Sequence, residues 1–297
     1  MNYIRRTAAS ALVLCMLAVA APAAGRDKVP LSHGARYVAM GSSFASGSGI
    51  APYDPAAPAR CQRSTENYAR QLARKYKLAL VDVTCGGATT AHILGPWNEL
   101  PPQIVALTPD TALVTITIGG NDVGYIGGLI AGSCSDSLPS GAVAQPLCQM
   151  IAAGRRSGAV MPTATEDGWR QVETALASIA HEIRRRSPRA RIVFVDYLAV
   201  LPEGVLCAQT PLSPQAAETG RATAARLARL TAAVARRNGA EVLPASALSR
   251  KGHSACGPNP WMAGFIPPAE ARTFVPYHPN LAGMAAVAEA LDRHLRQ

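Results

Sequence analysis

Charged residues are scarce in this sequence, 16% of 297, while hydrophobic residues make up 48%. That ratio excludes an intrinsically disordered chain and supplies material for one sizeable core. Aromatic residues are scarcer still, at 5%, and no basic run is interleaved with them, so the net charge of +10 does not read as a nucleic-acid site. A basic, soluble surface remains, with weak attraction to anionic membranes or cell-envelope polymers. There is no C-x-x-C, and His253 and Cys256 are spaced like a metal-site fragment without partners, so no metal is expected. No G-x-G-x-x-G opens a helix, which argues against a dinucleotide cofactor, and no cofactor of any kind is expected. A G-x-S-x-G nucleophile elbow is also missing. Internal repeats, low-complexity tracts and linkers are absent, so residues 24–297 read as a single domain, expected to be monomeric.

The N-terminus has a distinct character. Arg5 and Arg6 precede an apolar run from Ala8 to Ala21, and Ala21-Pro22-Ala23 is a small-residue cleavage site. Residues 1–23 therefore read as a secretory signal peptide, too short and wrongly flanked for a membrane span. Leu14 before Cys15 argues against a lipid anchor. Cleavage removes Cys15 and two arginines, leaving a charge of +8 and six cysteines. An even cysteine count in a secreted chain, extracellular or periplasmic, reads as three disulfides, with 15 pairings open.

Strand and helix patterns alternate along the rest. Tyr37–Met40, Leu78–Val83, Ala112–Ile118, Arg191–Val195 and Glu241–Leu243 read as five strands. Between them, helices are predicted at Thr65–Lys75, around Trp169–Arg186 and from Ser213-Pro214 to Arg237, with a short one at Pro101–Leu107 and a terminal one at Pro279–Leu295. Gly127–Pro162 reads as a long irregular insertion and residues 245–276 as irregular. The alternation predicts an α/β fold with a mostly parallel sheet covered on both faces.

Four stretches carry chemistry. "GSSFASG" follows the first strand and places Ser43 where an open sheet binds ligands. "TCGGATT" puts Gly87 in a turn after the second strand, where a backbone N–H can face a ligand. "TIGGND" ends the third strand with Asn121 and Asp122, read equally well as an amide for the site or as a helix cap. "VPYHPNLAGM" places His278 just before the last helix. A serine nucleophile needs a nearby base, and acyl transfer needs donors aimed at the developing oxyanion. These stretches supply those parts together.

In this order and spacing the blocks resemble the SGNH (GDSL-type) hydrolases, over nearly the whole chain after the signal peptide. The resemblance is strongest to the secreted actinobacterial-type esterases, lipases and phospholipases A. It implies a three-layer α/β/α sandwich with a flavodoxin-like, five-stranded sheet, and a serine hydrolase cleaving lipid-like or other acyl esters. By position, Ser43 is the implied nucleophile and His278 the base. The Ser43 and Gly87 N–H groups and the Asn121 side chain are the implied oxyanion hole. The sequential disulfides Cys61–Cys85, Cys134–Cys148 and Cys207–Cys256 close the smallest loops and agree with the resemblance.

Two positions depart from the family pattern: Ser42 stands where an Asp is usual, and Val275 where the triad Asp belongs, three residues before the histidine. The backbone carbonyl of Val275 is the expected acceptor for His278 Nδ1–H, since a residue before proline favours extended geometry. A distant carboxylate, such as Asp196 or Glu203, would instead rebuild a triad. The same blocks would serve an acetyl esterase acting on a polysaccharide. The missing Asp alone supports a non-catalytic envelope-binding module.

Overall fold

Residues 31–136, 144–156, 164–267 and 273–297 are described by the computed structural model; the expected signal peptide lies outside them. Five parallel strands form one sheet: β1 (Arg36–Gly41), β2 (Ala79–Asp82), β3 (Thr111–Thr117), β4 (Arg191–Val195) and β5 (Glu241–Leu243). Their order is β2-β1-β3-β4-β5, and every neighbouring pair is parallel. β1 and β3 are buried almost end to end, as runs such as "ALVTIT" require of central strands covered on both faces. The two edge strands are short and more open.

From β1 the chain winds first to β2 and then back across to β3, so the crossover helices fall on opposite faces. On one face α2 (Tyr68–Tyr76) packs on α9 (Leu281–Leu295). Asp292 of α9 holds the pair together, accepting from Lys75 Nζ at 2.6 Å and Tyr76 Oη at 2.5 Å. On the other face lie α3 (Thr90–Leu94), α6 (Glu166–Arg186) and α7 (Pro214–Arg237). The spacing of Trp169, Val172, Leu176, Ile179 and Ile183 does mark the buried face of α6. Ser213 caps α7 by accepting from the Ala216 N–H. α2 starts later than its sequence pattern suggests, because Asn67 caps it and Thr65 is hydrogen-bonded to the Pro52 carbonyl.

The Gly127–Pro162 region departs from expectation. It contains two helices, α4 (Tyr125–Asp136) and α5 (Ala144–Arg156), joined by the Cys134–Cys148 disulfide. Gly132, in the stretch that reads as a loop, serves close helix packing here. A Cβ on Gly132 would come within 2.9 Å of Leu212 and 3.3 Å of Ala216, and one on Gly220 of α7 would collide with Leu129 of α4. α8 (Ala245–Ser249) is a further short helix in the stretch expected to be irregular.

Candidate active site

In a doubly wound sheet the crevice opens at the carboxyl ends of the strands where the order reverses. Here that point lies beyond β1 and β3. β1 ends at Gly41, whose φ of +135° suits glycine and whose Cβ, if present, would strike the Thr117 carbonyl. Ser42 N–H then donates to that carbonyl at 2.9 Å. α1 (Ser43–Ser46) begins immediately, so Ser43 N–H is a first-turn donor with no intrahelical partner.

His278 reaches Ser43 from the other end of the chain. Its Nε2 lies 2.7 Å from Ser43 Oγ, and its Nδ1 lies 2.8 Å from the Pro276 carbonyl oxygen. Nδ1–H therefore donates to that carbonyl, leaving the Nε2 lone pair for the serine hydroxyl. The acceptor is one residue later than expected: Pro276, not Val275. Tyr277 adopts a left-handed φ of +59°, which folds the chain back and brings the carbonyl two residues before His278 onto the ring. The loop is anchored on both sides: Tyr277 N–H donates to Gly264, Ala263 N–H donates to the His278 carbonyl, and Tyr277 Oη lies 2.6 Å from Ser133 Oγ.

Neither carboxylate considered from the sequence reaches the imidazole. Asp196 accepts from the Ser246 N–H and hydroxyl, each at 2.7 Å, and Glu203 pairs with Arg250. Ser43 and His278 are 9% and 6% exposed. Burial pushes the imidazole down to about 4, against a smaller upward effect of the Pro276 bond. It is thus neutral, and able to accept a proton, at neutral pH.

Two turns flank the serine. In the first, the Cys61–Cys85 disulfide is formed and Gly86 N–H donates to the Cys61 carbonyl at 2.9 Å. Gly87 follows with a φ of +83°, and among the described residues its N–H meets no acceptor. Trp97 walls this side, 3.2 Å from where a Gly87 Cβ would stand.

In the second turn the two readings of Asn121 and Asp122 separate. Asp122 accepts from Thr90 N–H at 3.1 Å and Thr90 Oγ1 at 2.5 Å, at the start of α3. Asn121 gives one amide hydrogen to the Ala88 carbonyl at 2.8 Å. Among the described residues its second amide hydrogen meets no acceptor. Tyr197, which the sequence reading did not single out, accepts from Gly120 N–H at 2.9 Å and lies 3.3 Å from Ser42 Oγ. Its place two residues past the end of β4 was the available signal. The third disulfide, Cys207–Cys256, is also formed. A buried serine hydroxyl hydrogen-bonded to a neutral imidazole is suited to nucleophilic attack with proton transfer to the ring.

Residues 39–286 match the GDSL-like Lipase/Acylhydrolase family. The chain is 33% identical over 257 residues to Lipase 2 of Streptomyces coelicolor, covering 85% of this chain and 83% of that one. It superposes on the extracellular lipase of Streptomyces rimosus with a TM-score of 0.67 at 26% identity, covering 88% of this chain and 99% of the lipase. Phospholipase A1 from Streptomyces albidoflavus shares the fold, with a TM-score of 0.65 at 24% identity over 88% and 99% of the two chains. With the family match spanning most of its length, the chain belongs to the GDSL-like lipase/acylhydrolases and is a carboxylic ester hydrolase.

Proposed function

We propose that the protein is a secreted serine esterase or lipase working through a Ser43–His278 dyad and an acyl-enzyme. The observation that carries this reading is the 2.7 Å contact between Ser43 Oγ and His278 Nε2, with Nδ1 held on a backbone carbonyl. His278 takes the hydroxyl proton as Ser43 Oγ attacks the ester carbonyl carbon. The carbonyl oxygen becomes an oxyanion facing the Ser43 and Gly87 N–H groups and the Asn121 amide. Collapse breaks the C–O bond to the alcohol, which leaves with the proton from Nε2. Water then repeats the sequence, releasing the acid and restoring Ser43. Among the described residues no carboxylate backs the imidazolium, and the Pro276 carbonyl takes the Nδ1 proton instead.

A lipid-like ester is favoured over a polysaccharide acetate. A cavity of about 560 Å³ lies between the loop after Ser43 and the loop bearing His278, lined by Ile50, Met262, Ile266, Phe274, Val275 and Leu281 among others. Apolar pockets of this size suit acyl chains. The N-terminal apolar run and the extracellular character of the S. rimosus lipase support export. The protein acts as a monomer, and its basic surface favours anionic envelopes.

The test pairs covalent labelling with turnover. A fluorophosphonate should modify Ser43, and Ser43→Ala should abolish hydrolysis of p-nitrophenyl esters while the fold persists. Modification at Ser42 or Ser46 would overturn the assignment. A panel from acetate to palmitate, with a phospholipid alongside, should favour chains longer than acetate; turnover of acetate alone would remove the lipid-like reading.

A further inference from the structure

The ladder between β1 and β2 continues past the end of β2, with Val83 N–H donating to the Ala39 carbonyl and Cys85 N–H to the Gly41 carbonyl, at 3.0 and 3.1 Å. A regular parallel ladder would send the Gly41 N–H to the carbonyl of residue 83. It goes instead to a side chain: Gly41 N–H donates to Gln103 Oε1 at 2.7 Å. Gln103 Nε2 in turn donates to the Gly41 carbonyl at 3.1 Å. The Gln103 amide is buried and comes from the short helical turn Gln103–Ala106 that follows Pro101-Pro102.

This grip falls at a critical place. Gly41 has no side chain to wedge it, and its carbonyl also accepts from Cys85, which starts the Gly86–Gly87 turn. One residue is thus the shared reference for the serine turn, two residues later, and for the glycine turn opposite. The Gln103 amide closes both polar atoms of that residue in a planar, two-point contact. Among the described residues, its contacts with the site run through Gly41 and not through Ser43 or His278.

We propose that Gln103 is a positioning residue for ester hydrolysis, holding Gly41 so that the Ser43 and Gly87 N–H groups stay aimed at one point. This rests on the reading of Ser43 as nucleophile. Small displacements of such donors cost rate without weakening substrate binding, because the oxyanion exists only in the transition state.

The experiment compares Gln103→Met, which keeps bulk and loses both hydrogen bonds, with Gln103→Glu, which keeps shape. In Gln103→Met, kcat on p-nitrophenyl butyrate should fall about tenfold to a hundredfold with KM within about threefold. Fluorophosphonate labelling of Ser43 should slow in parallel. Gln103→Glu adds a readout that a merely structural role would not move. While protonated, the introduced carboxyl can still accept from the Gly41 N–H and donate to its carbonyl. As pH rises the carboxyl ionises, the donor disappears, and a new falling limb should appear in kcat that the parent lacks. A folded Gln103→Met with kcat and labelling rate within twofold of the parent would overturn the proposal. Should Gln103→Met not fold, a Gln103→Glu pH profile identical in shape to the parent's would overturn it instead. Loss of Ser43 labelling in the parent itself would overturn the nucleophile reading, which separates the two failures.

Discussion

Asn121 and Ala88 are joined by a 2.8 Å hydrogen bond from the side-chain amide to the backbone carbonyl, across two turns that leave different strands. The bond fixes the Asn121 amide plane, so its other hydrogen points one way without further help. A donor fixed in advance contributes more to an oxyanion than one that must reorient. Asn121→Ala should therefore lower kcat on the order of 10²–10³, the usual loss for one such donor. Steady-state kinetics on a short-chain ester would check this, and a loss below tenfold would take Asn121 out of the hole.

Activity should persist in acid further than for an ordinary histidine base. Burial lowers His278 from 6.5 to about 4, so the neutral, working form is present above that value and is lost as pH falls through it. The parent kcat/KM should thus hold through pH 6 and decline only toward about 4. Stability carries the same sign. The unfolded imidazole takes a proton from about 6.5 downward and the folded one does not, so folding weakens across that window. A kcat/KM midpoint at 6.5 or above would contradict the buried, neutral imidazole.

Restoring a carboxylate at position 275 should bring no gain. Nδ1–H has one proton and the Pro276 carbonyl already takes it at 2.8 Å. Val275→Asp should leave kcat at or below the parent value, and Val275→Ala should change short-chain turnover less than about threefold, since only its side chain is lost. A tenfold rise in Val275→Asp would show that the carbonyl yields its place readily.

Reduction should harm activity before it unfolds the protein. Cys61–Cys85 ties the loop beyond Ser43 to the turn presenting Gly87, and Gly86 donates to Cys61 across the same link. The double variant Cys61→Ala/Cys85→Ala should lose most of its kcat at temperatures where circular dichroism still reports a native fold. Coincident loss of both signals would mean that the bridge supports the whole domain and not the turn.

Much of this was legible in local sequence. Strands such as Thr111–Thr117 and the buried face of α6 follow from periodicity, and the Ser213-Pro214 cap from its residue types. The four blocks located Ser43 and His278, now in contact, because each is a short, glycine- or proline-marked turn at a strand or helix end. What escaped depends on partners distant in sequence. Gln103 looks like any polar residue after a proline pair until Gly41, 62 residues away, is set beside it. Asp122 rather than Asn121 meets α3 because of where Thr90 lands. α4 looked irregular because its glycines were weighed by intrinsic propensity, whereas Gly132 is what permits the close approach of α7.

The Tyr277–Ser133 hydrogen bond gives that insertion an unexpected standing. Tyr277 sits in a left-handed conformation next to His278, and its hydroxyl is moored to α4, one residue before the Cys134–Cys148 bridge. Such a backbone persists only where its surroundings insist on it. Helix α4, in the segment that most resembles a removable decoration, thus braces the histidine loop, and trimming it should unseat an imidazole whose own loop had not been touched.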